Sequence, residues 1–368
     1  MVDAGELNLR IAWDGKTVRN VVVESTRPQA SRLLAGRTPE QAVKMVSLLY
    51  SVCGRAQQAA ATAALAAARG KQSAALDRTV ACEAMQEHLW RLLLDWPQLL
   101  GLPAAQQQFV DWHGKLGAIA AGEDGVQALR DELLLQLLGL SAEEWQSLVS
   151  YADLSTWWRA GRGLVAPLAE ALDRKEDELG PEEMAICELL PDWTVNDALQ
   201  ACAGRLDLEF AARPHNNGRP MEVGALAFRQ HAPLLKDIMR VRHARLLARL
   251  IARLVDLLDS MDAAAQDFGA GRVESTAVAA NGTGMALVRT ARGPLLHYVC
   301  LDSTGGMEKV AQYFVIAPTE WNFHPQGALA TGLIGVGASD EAQLMETVRM
   351  WVLSLDPCVE YRIEVGHA

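Results

Sequence analysis

The stretch SLDPCVEYRIEVGHA, residues 354–368, decides how the rest of the sequence is read. It sets Asp356, Pro357 and Cys358 side by side. Aspartate caps helix N-termini, and proline fits the first helical position. On that reading Cys358 stands at a helix N-terminus, where the dipole favours a thiolate, the form that binds metals or attacks as a nucleophile. Just upstream, DEAQLMETVRMWVLSL (340–355) has the spacing of the helix that delivers this motif.

Working outward, the preceding segments GMALVRTARGPLLHYVCL (284–301) and KVAQYFVIAP (309–318) are strand-like and joined by DSTGGME (302–308). The N-terminus alternates as LNLRIAW, Asp14-Gly15 and VRNVVVES, a hairpin signal. At GRTPEQA (36–42) a helix begins, with Thr38 as N-cap, Pro39 at its first position and Gln41 closing a capping box. Val46, Leu49, Tyr50 and Cys53 follow at helical spacing, which places Cys53 on the buried face of that helix, ending at Gly54. AQQAAATAALAAA (56–68) is a small-residue helix, and another helix runs over 72–95, ending before Pro97. Helices fill 104–175, LDRKEDELGPEE (172–183) is an exposed loop or boundary, RPHNNGRP (213–220) is a loop, and a long helical run covers about 230–265. The fold class is α+β: mainly a helical bundle core with small antiparallel strand pairs near both termini, in a single domain over residues 1–368.

Half of the 368 residues are hydrophobic, enough for a sizeable core. The net charge of −11 opposes a nucleic-acid partner, because phosphates need a basic face. No apolar stretch reaches the length of a membrane helix, and MVDAGELNLR lacks the apolar region of a signal peptide, so the expected location is cytoplasmic, with no membrane association. The six cysteines are widely spaced and read as reduced thiols. Of these, Cys82, Cys187, Cys202 and Cys300 read as core, and so do His88 and His297.

Three further stretches are too specific to be filler: MEVGALA (221–227) with Glu222, TARGPLLHY (290–298) with Arg292 and Gly293, and the loop APTEWNFHP (317–325) with Pro318, Thr319, Asn322 and His324. Together with GRTPEQA, SVCGRA (51–56) and SLDPCVEY, and in this order, they resemble the large subunit of nickel–iron hydrogenases. That family carries CGxC, EVGPLA, an arginine-glycine strand, PTTWN and DPCxxCxxH. The resemblance implies the large-subunit fold from about residue 27 to Cys358.

The departures shape the function that the resemblance implies. The family holds its metals with four cysteines, the first of each pair on nickel and the second bridging nickel and iron. Here the first positions survive as Cys53 and Cys358, while the second are Ala56 and Tyr361. The family's histidines fall at Ala60 and Glu364, its N-terminal acid at Ala30 or Ser31, and the arginine after PTTWN near Gln326. Without the bridging pair the bimetallic centre loses half its sulfur ligands, so catalysis is not expected. Hydrogenase precursors carry a C-terminal extension removed after nickel arrives, and its absence here implies a protein that bypasses this checkpoint.

The sequence with CGRAQ in place of CGxC is most similar to the HupK/HoxV-type hydrogenase maturation proteins. The implied role is a non-enzymatic scaffold that transiently holds an Fe(CN)2(CO) fragment, without nickel, before transfer to the apo large subunit. The resemblance assigns Cys53 and Cys358 to the metal, and Arg292, Pro318 and Thr319 to the cyanides and their pocket. Its implied partners are a Hyp-type maturation chaperone complex and the hydrogenase large-subunit precursor. The sequence leaves open whether the two cysteines bind iron, form a disulfide or only relay the fragment. The alternatives are a divergent, active hydrogenase and a metal-free interaction protein that mimics the large subunit.

Overall fold

Alternating apolar residues at the N-terminus form the expected hairpin, β1 (Glu6–Trp13) with β2 (Val18–Ser25), antiparallel. Leu7, Leu9, Ile11 and Trp13 point inward from β1, while Asp14 Oδ1 accepts from the Lys16 and Thr17 amides and closes the turn. This computed structural model describes residues 5–26, 30–72, 77–179, 186–202, 206–242, 245–266, 271–278, 282–304 and 306–367.

The sheet has a third strand that local pattern does not reveal. The C-terminal segment Glu360–His367 (β7) pairs with β1 in parallel, from Glu6↔Glu360 to Trp13↔His367, giving the order β2-β1-β7. A parallel pair needs a long crossover, and here almost the whole chain lies between the two strands. The second sheet has four antiparallel strands in the order β3-β4-β5-β6: Val273–Ala277, Thr283–Thr290, Gly293–Asp302 and Lys309–Ile316.

Helix α1 (Pro39–Leu49) starts as its sequence dictates, with Gln41 N donating to Thr38 Oγ1 and Thr38 N to Gln41 Oε1. The alanine-rich helix α2 (Gly54–Ala68) packs on β4 so closely that a Cβ at Gly284 would stand 2.2 Å from the Ala64 carbonyl oxygen. Small residues on both sides permit that approach. Helix α3 (Asp77–Trp90) does not stop before Pro97: a π turn over Arg91–Asp95 leads into a further helical turn, Trp96–Leu99, where Pro97 is tolerated near the N-terminus.

The helical body holds the main core, centred on the buried helix Leu246–Gln266, whose Leu250, Leu254, Leu257, Leu258 and Met261 are all enclosed. The expected run over 230–265 is broken into Pro233–Val241 and this helix. The charged stretch from 172 is not an exposed loop either. Residues up to Glu178 continue the helix Ala166–Glu178, and its Asp173 and Glu176 turn inward to meet Arg242. Residues 180–183 of that stretch lie outside the described residues.

Candidate metal centre

Four motifs far apart in sequence meet at one point. Asn322 ties three of them: its Oδ1 accepts from Val223 N at 2.9 Å, and its Nδ2 donates to the Val223 carbonyl at 3.1 Å and the Leu355 carbonyl at 3.2 Å. Glu222 is buried and clamped by Arg249, with Nε–Oε1 at 2.9 Å and Nη2–Oε2 at 3.0 Å, while Arg249 Nη1 reaches Ser354 Oγ at 3.0 Å. The turn before β5 fits against Val223: Gly293 has φ +134°, and a Cβ there would meet Val223 Cγ2 at 2.8 Å. The Glu222 turn therefore has a structural task, holding the Arg292 turn and the Cys358 loop together.

Cys53 is not on the buried face of α1. That helix ends at Leu49; a 3-10 turn, Ser51–Cys53, follows, and Cys53 is the N-cap of α2. Glu83 of α3 satisfies the first amides of that helix, accepting from Arg55 N at 2.9 Å and Ala56 N at 2.8 Å.

Cys358 is not at a helix N-terminus. The helix Glu341–Leu355 ends there, and Asp356 is its C-cap in the left-handed conformation, φ 54°. The physical reason lies in distant residues. The Asp356 carboxylate is buried among three arginines, with Arg91 Nε donating at 2.9 Å, Arg292 Nε at 3.1 Å and Arg253 Nη1 3.1 Å away, so it is not free to cap an amide. Cys358 instead rests on Thr319: its N–H donates to Thr319 Oγ1 at 3.2 Å, and the same oxygen lies 3.2 Å from Sγ. Thr319 and Pro318 belong to a short helix, Pro318–Asn322, where a loop was expected, and both are buried.

Arg292 lies between the cysteines and the acids. It is buried, bonded to Asp356 through Nε and to Glu87 through Nη2, and the sulfurs of Cys53 and Cys358 both act on it electrostatically. Among the described residues, nothing accepts from its Nη1. Burial disfavours its charge, but Asp356, Glu87 and the two sulfurs outweigh that and hold its pKa above the usual value. Burial likewise opposes ionisation of Asp356, and Arg292, Arg91 and Arg253 overcome it, holding this carboxyl far below the usual range. The Cys53 thiol is pushed up to about 12, first by burial and then by the Cys358 sulfur, against the pull of Arg292. The structure thus brings Cys53, Cys358, Arg292 and Thr319 to one place, with Pro318 beside Thr319. None of the six cysteines is joined in a disulfide.

Sequence reasoning missed a hydrogen-bonded chain behind Cys53. His297 Nε2 lies 2.9 Å from Gln57 Oε1, a carbonyl oxygen that only accepts, so Nε2 carries the proton. Nδ1 then accepts from Tyr313 O–H at 2.7 Å, and Gln57 Nε2 donates to Cys53 Sγ at 3.6 Å. Every donor in the chain points toward the sulfur. Burial drives the His297 pKa down to about 3, which keeps the ring neutral. Glu83 and Glu87 were also missed. The one signal in sequence was Gln57 itself, one helical turn after Cys53. His88 is structural, as expected: it is fully buried, with Nε2 2.8 Å from Asp256 Oδ2.

The positions of the family's bridging cysteines diverge. Ala56 is buried in α2, whereas Tyr361 is 40% exposed on β7. Among the described residues, no group of three or more His, Cys, Asp or Glu is arranged to hold a metal ion.

The fold defined by these elements is that of the nickel–iron–selenium hydrogenases. The Ni-Fe-Se hydrogenase of D. vulgaris Hildenborough matches it with a TM-score of 0.56 at 16% identity, over 95% of this chain and 94% of that one. The enzyme of Desulfomicrobium baculatum matches with a TM-score of 0.56 at 13% identity, over 95% of each chain. In sequence, the nickel-dependent hydrogenase family matches residues 229–361. The hydrogenase expression/formation protein HoxV of Cupriavidus necator is 30% identical over 94% of this chain and 93% of its own. HupK of Azotobacter vinelandii, also a hydrogenase expression/formation protein, is 31% identical over 99% of this chain and 100% of its own. The chain belongs to the HoxV/HupK family of hydrogenase expression/formation proteins. Among the described residues, no helix is long and apolar enough to cross a membrane.

Proposed function

We propose that this protein is a non-catalytic scaffold in hydrogenase maturation, and that its cargo is an Fe(CN)2(CO) group held between Cys53 and Cys358. One observation carries this reading: the sulfurs of Cys53 and Cys358, the latter resting on Thr319, both act on the one buried Arg292, whose Nη1 meets no acceptor among the described residues. Two sulfur donors are too few for a bare metal ion. They suffice for iron that brings three diatomic ligands of its own. A cyanide nitrogen on iron carries negative charge and needs a donor when buried, and Arg292 Nη1 and the Thr319 hydroxyl are of the right chemistry. Pro318 supplies apolar wall. Nickel, deprived of two thiolates at Ala56 and Tyr361, has no comparable set.

Loading requires thiolates. Cys53 starts as a thiol, its pKa pushed up to about 12, so capture of the cargo releases its proton. The donor is a Hyp-type maturation chaperone complex and the acceptor is the large-subunit precursor, both of them cytoplasmic encounters. Val52 in the Cys53 turn and Leu48 just before it are 45% and 79% exposed, an apolar approach for such partners.

Elemental analysis of protein purified from cells with active maturation tests the reading. Up to one iron per chain and no specific nickel is expected, with iron lost in Cys53→Ser and Cys358→Ser. Stoichiometric nickel with hydrogen-dependent dye reduction would make the protein an enzyme, and iron undiminished in both variants would remove the cysteines from the site.

A further inference from the structure

Beside the buried helix Leu246–Gln266, a cavity of about 210 Å³ is lined by Arg229, Arg272 and Arg289 together with Asp256, Asp259 and Ser260 of that helix. Among the described residues, neither Arg272 nor Arg289 has a carboxylate bonded to its guanidinium. Arg229 is fully engaged, with Nε on Asp256 Oδ1 at 2.8 Å and Nη1 3.1 Å from Asp259 Oδ2. Arg272 gives its guanidinium only to neutral acceptors, the Arg289 carbonyl at 3.2 Å and the Ser260 hydroxyl. Arg289 forms no ion pair among the described residues. Its guanidinium carbon lies 5.6 Å from the centre of the Phe228 ring, and its buried Nε donates to nothing.

Asp256 acts on Arg272 only through space, since its two oxygens are taken by Arg229 and His88. Cationic groups taken from water without an anion are costly, and a fork of guanidinium donors matches the oxygens of a carboxylate or phosphate. The space is large enough for such an ion with its water, and too small for a nucleotide.

We propose that Arg272 and Arg289 form a binding site for a small oxyanion, of carboxylate or phosphate type, separate from the two cysteines. Burial, joined by Arg229 and Arg289, lowers the pKa of Arg272 against the pull of Asp256 and Asp77, and a bound anion would raise it again. Because Arg289 lies on the strand that runs into the Arg292 turn, an anion here also steadies that turn.

The test titrates the purified full-length chain with inorganic phosphate and, separately, with acetate, against sodium chloride at equal ionic strength. The melting temperature is followed throughout. A rise above that in chloride is expected with phosphate if the natural ligand is a phosphate, and with acetate if it is a carboxylate. Arg289→Met keeps an apolar stem over Phe228 and orphans no hydrogen-bond partner, so it should fold and bind the effective anion about tenfold more weakly or worse. Asp259→Asn removes a repelling carboxylate from the wall and should tighten binding. No rise above chloride with either anion overturns the proposal. So does a rise that Arg289→Met leaves undiminished, or an Asp259→Asn that binds no better.

Discussion

Thr319 Oγ1 stands 3.2 Å from Cys358 Sγ and accepts the Cys358 N–H at the same distance, so one hydroxyl fixes both the backbone and the sulfur of the C-terminal cysteine. A hydroxyl so placed can donate to a thiolate while it accepts from the amide. Thr319→Val keeps the shape and removes both bonds. The expected loss is about 1 kcal/mol of stability in denaturant unfolding, together with a shift of the cyanide bands in loaded protein. Thr319→Ser should restore both. If valine changes neither, the hydroxyl has no part in the site.

Arg292 is the more drastic position. Arg292→Ala leaves the buried Asp356 and Glu87 carboxylates short of a partner, and removal of one member of a buried ion pair costs about 3–5 kcal/mol. Arg292→Lys keeps the charge but not the fork, so it should fold more stably than alanine and still shift the cyanide bands. Equal stability of wild type and Arg292→Ala would show that the network carries no load.

The chain behind Cys53 makes stability depend on pH. The folded pKa of His297 is about 3 against an ordinary 6.5, so between these values the unfolded chain binds a proton that the folded chain refuses. Its contribution is complete above about 6.5 and is lost as the pH falls, with a limiting slope of about 1.4 kcal/mol per pH unit. Buried His88, whose pKa is also lowered by burial against the pull of Asp256, adds in the same direction. His297→Gln retains polar groups for Tyr313 and Gln57 and should flatten the slope of melting temperature between pH 7 and 5. An unchanged slope would mean that His297 takes up its proton in the folded state as readily as in the unfolded one.

Some of this was legible in the sequence because it is local. Thr38, Pro39 and Gln41 form their capping box from neighbouring residues alone, and Asp14 closes its hairpin within three residues. The family resemblance, carried by the order of the motifs, also implied that Arg292, Thr319, Cys53 and Cys358 share one site. The failures share a long-range cause. Asp356 reads locally as an N-cap, but Arg91, Arg253 and Arg292 arrive from remote parts of the chain and claim its carboxylate. β7 pairs with a strand at the opposite end of the sequence, and α1 breaks at Tyr50 although Cys53 keeps its helical spacing. The inward turn of Asp173 and Glu176 depends on Arg242, which no composition of residues 172–183 reveals.

Proton release on loading gives a further expectation. Since burial holds Cys53 as a thiol, retention of the iron group should strengthen as the pH rises from 6 to 9. Gln57→Leu removes the donor to Sγ and should make retention weaker at every pH, while Cys82→Ala, buried in the helical core, should leave it unchanged. Iron per chain after desalting at each pH measures this. Retention that is flat with pH would mean that Cys53 does not bind as a thiolate.

The most direct measurement is the infrared spectrum of protein isolated from cells with active maturation machinery. The account predicts two cyanide bands and one carbonyl band in wild type. All three should be lost in Cys53→Ser and in Cys358→Ser, while both variants keep the wild-type fold by circular dichroism. The same three bands, undiminished in either cysteine variant, would contradict it.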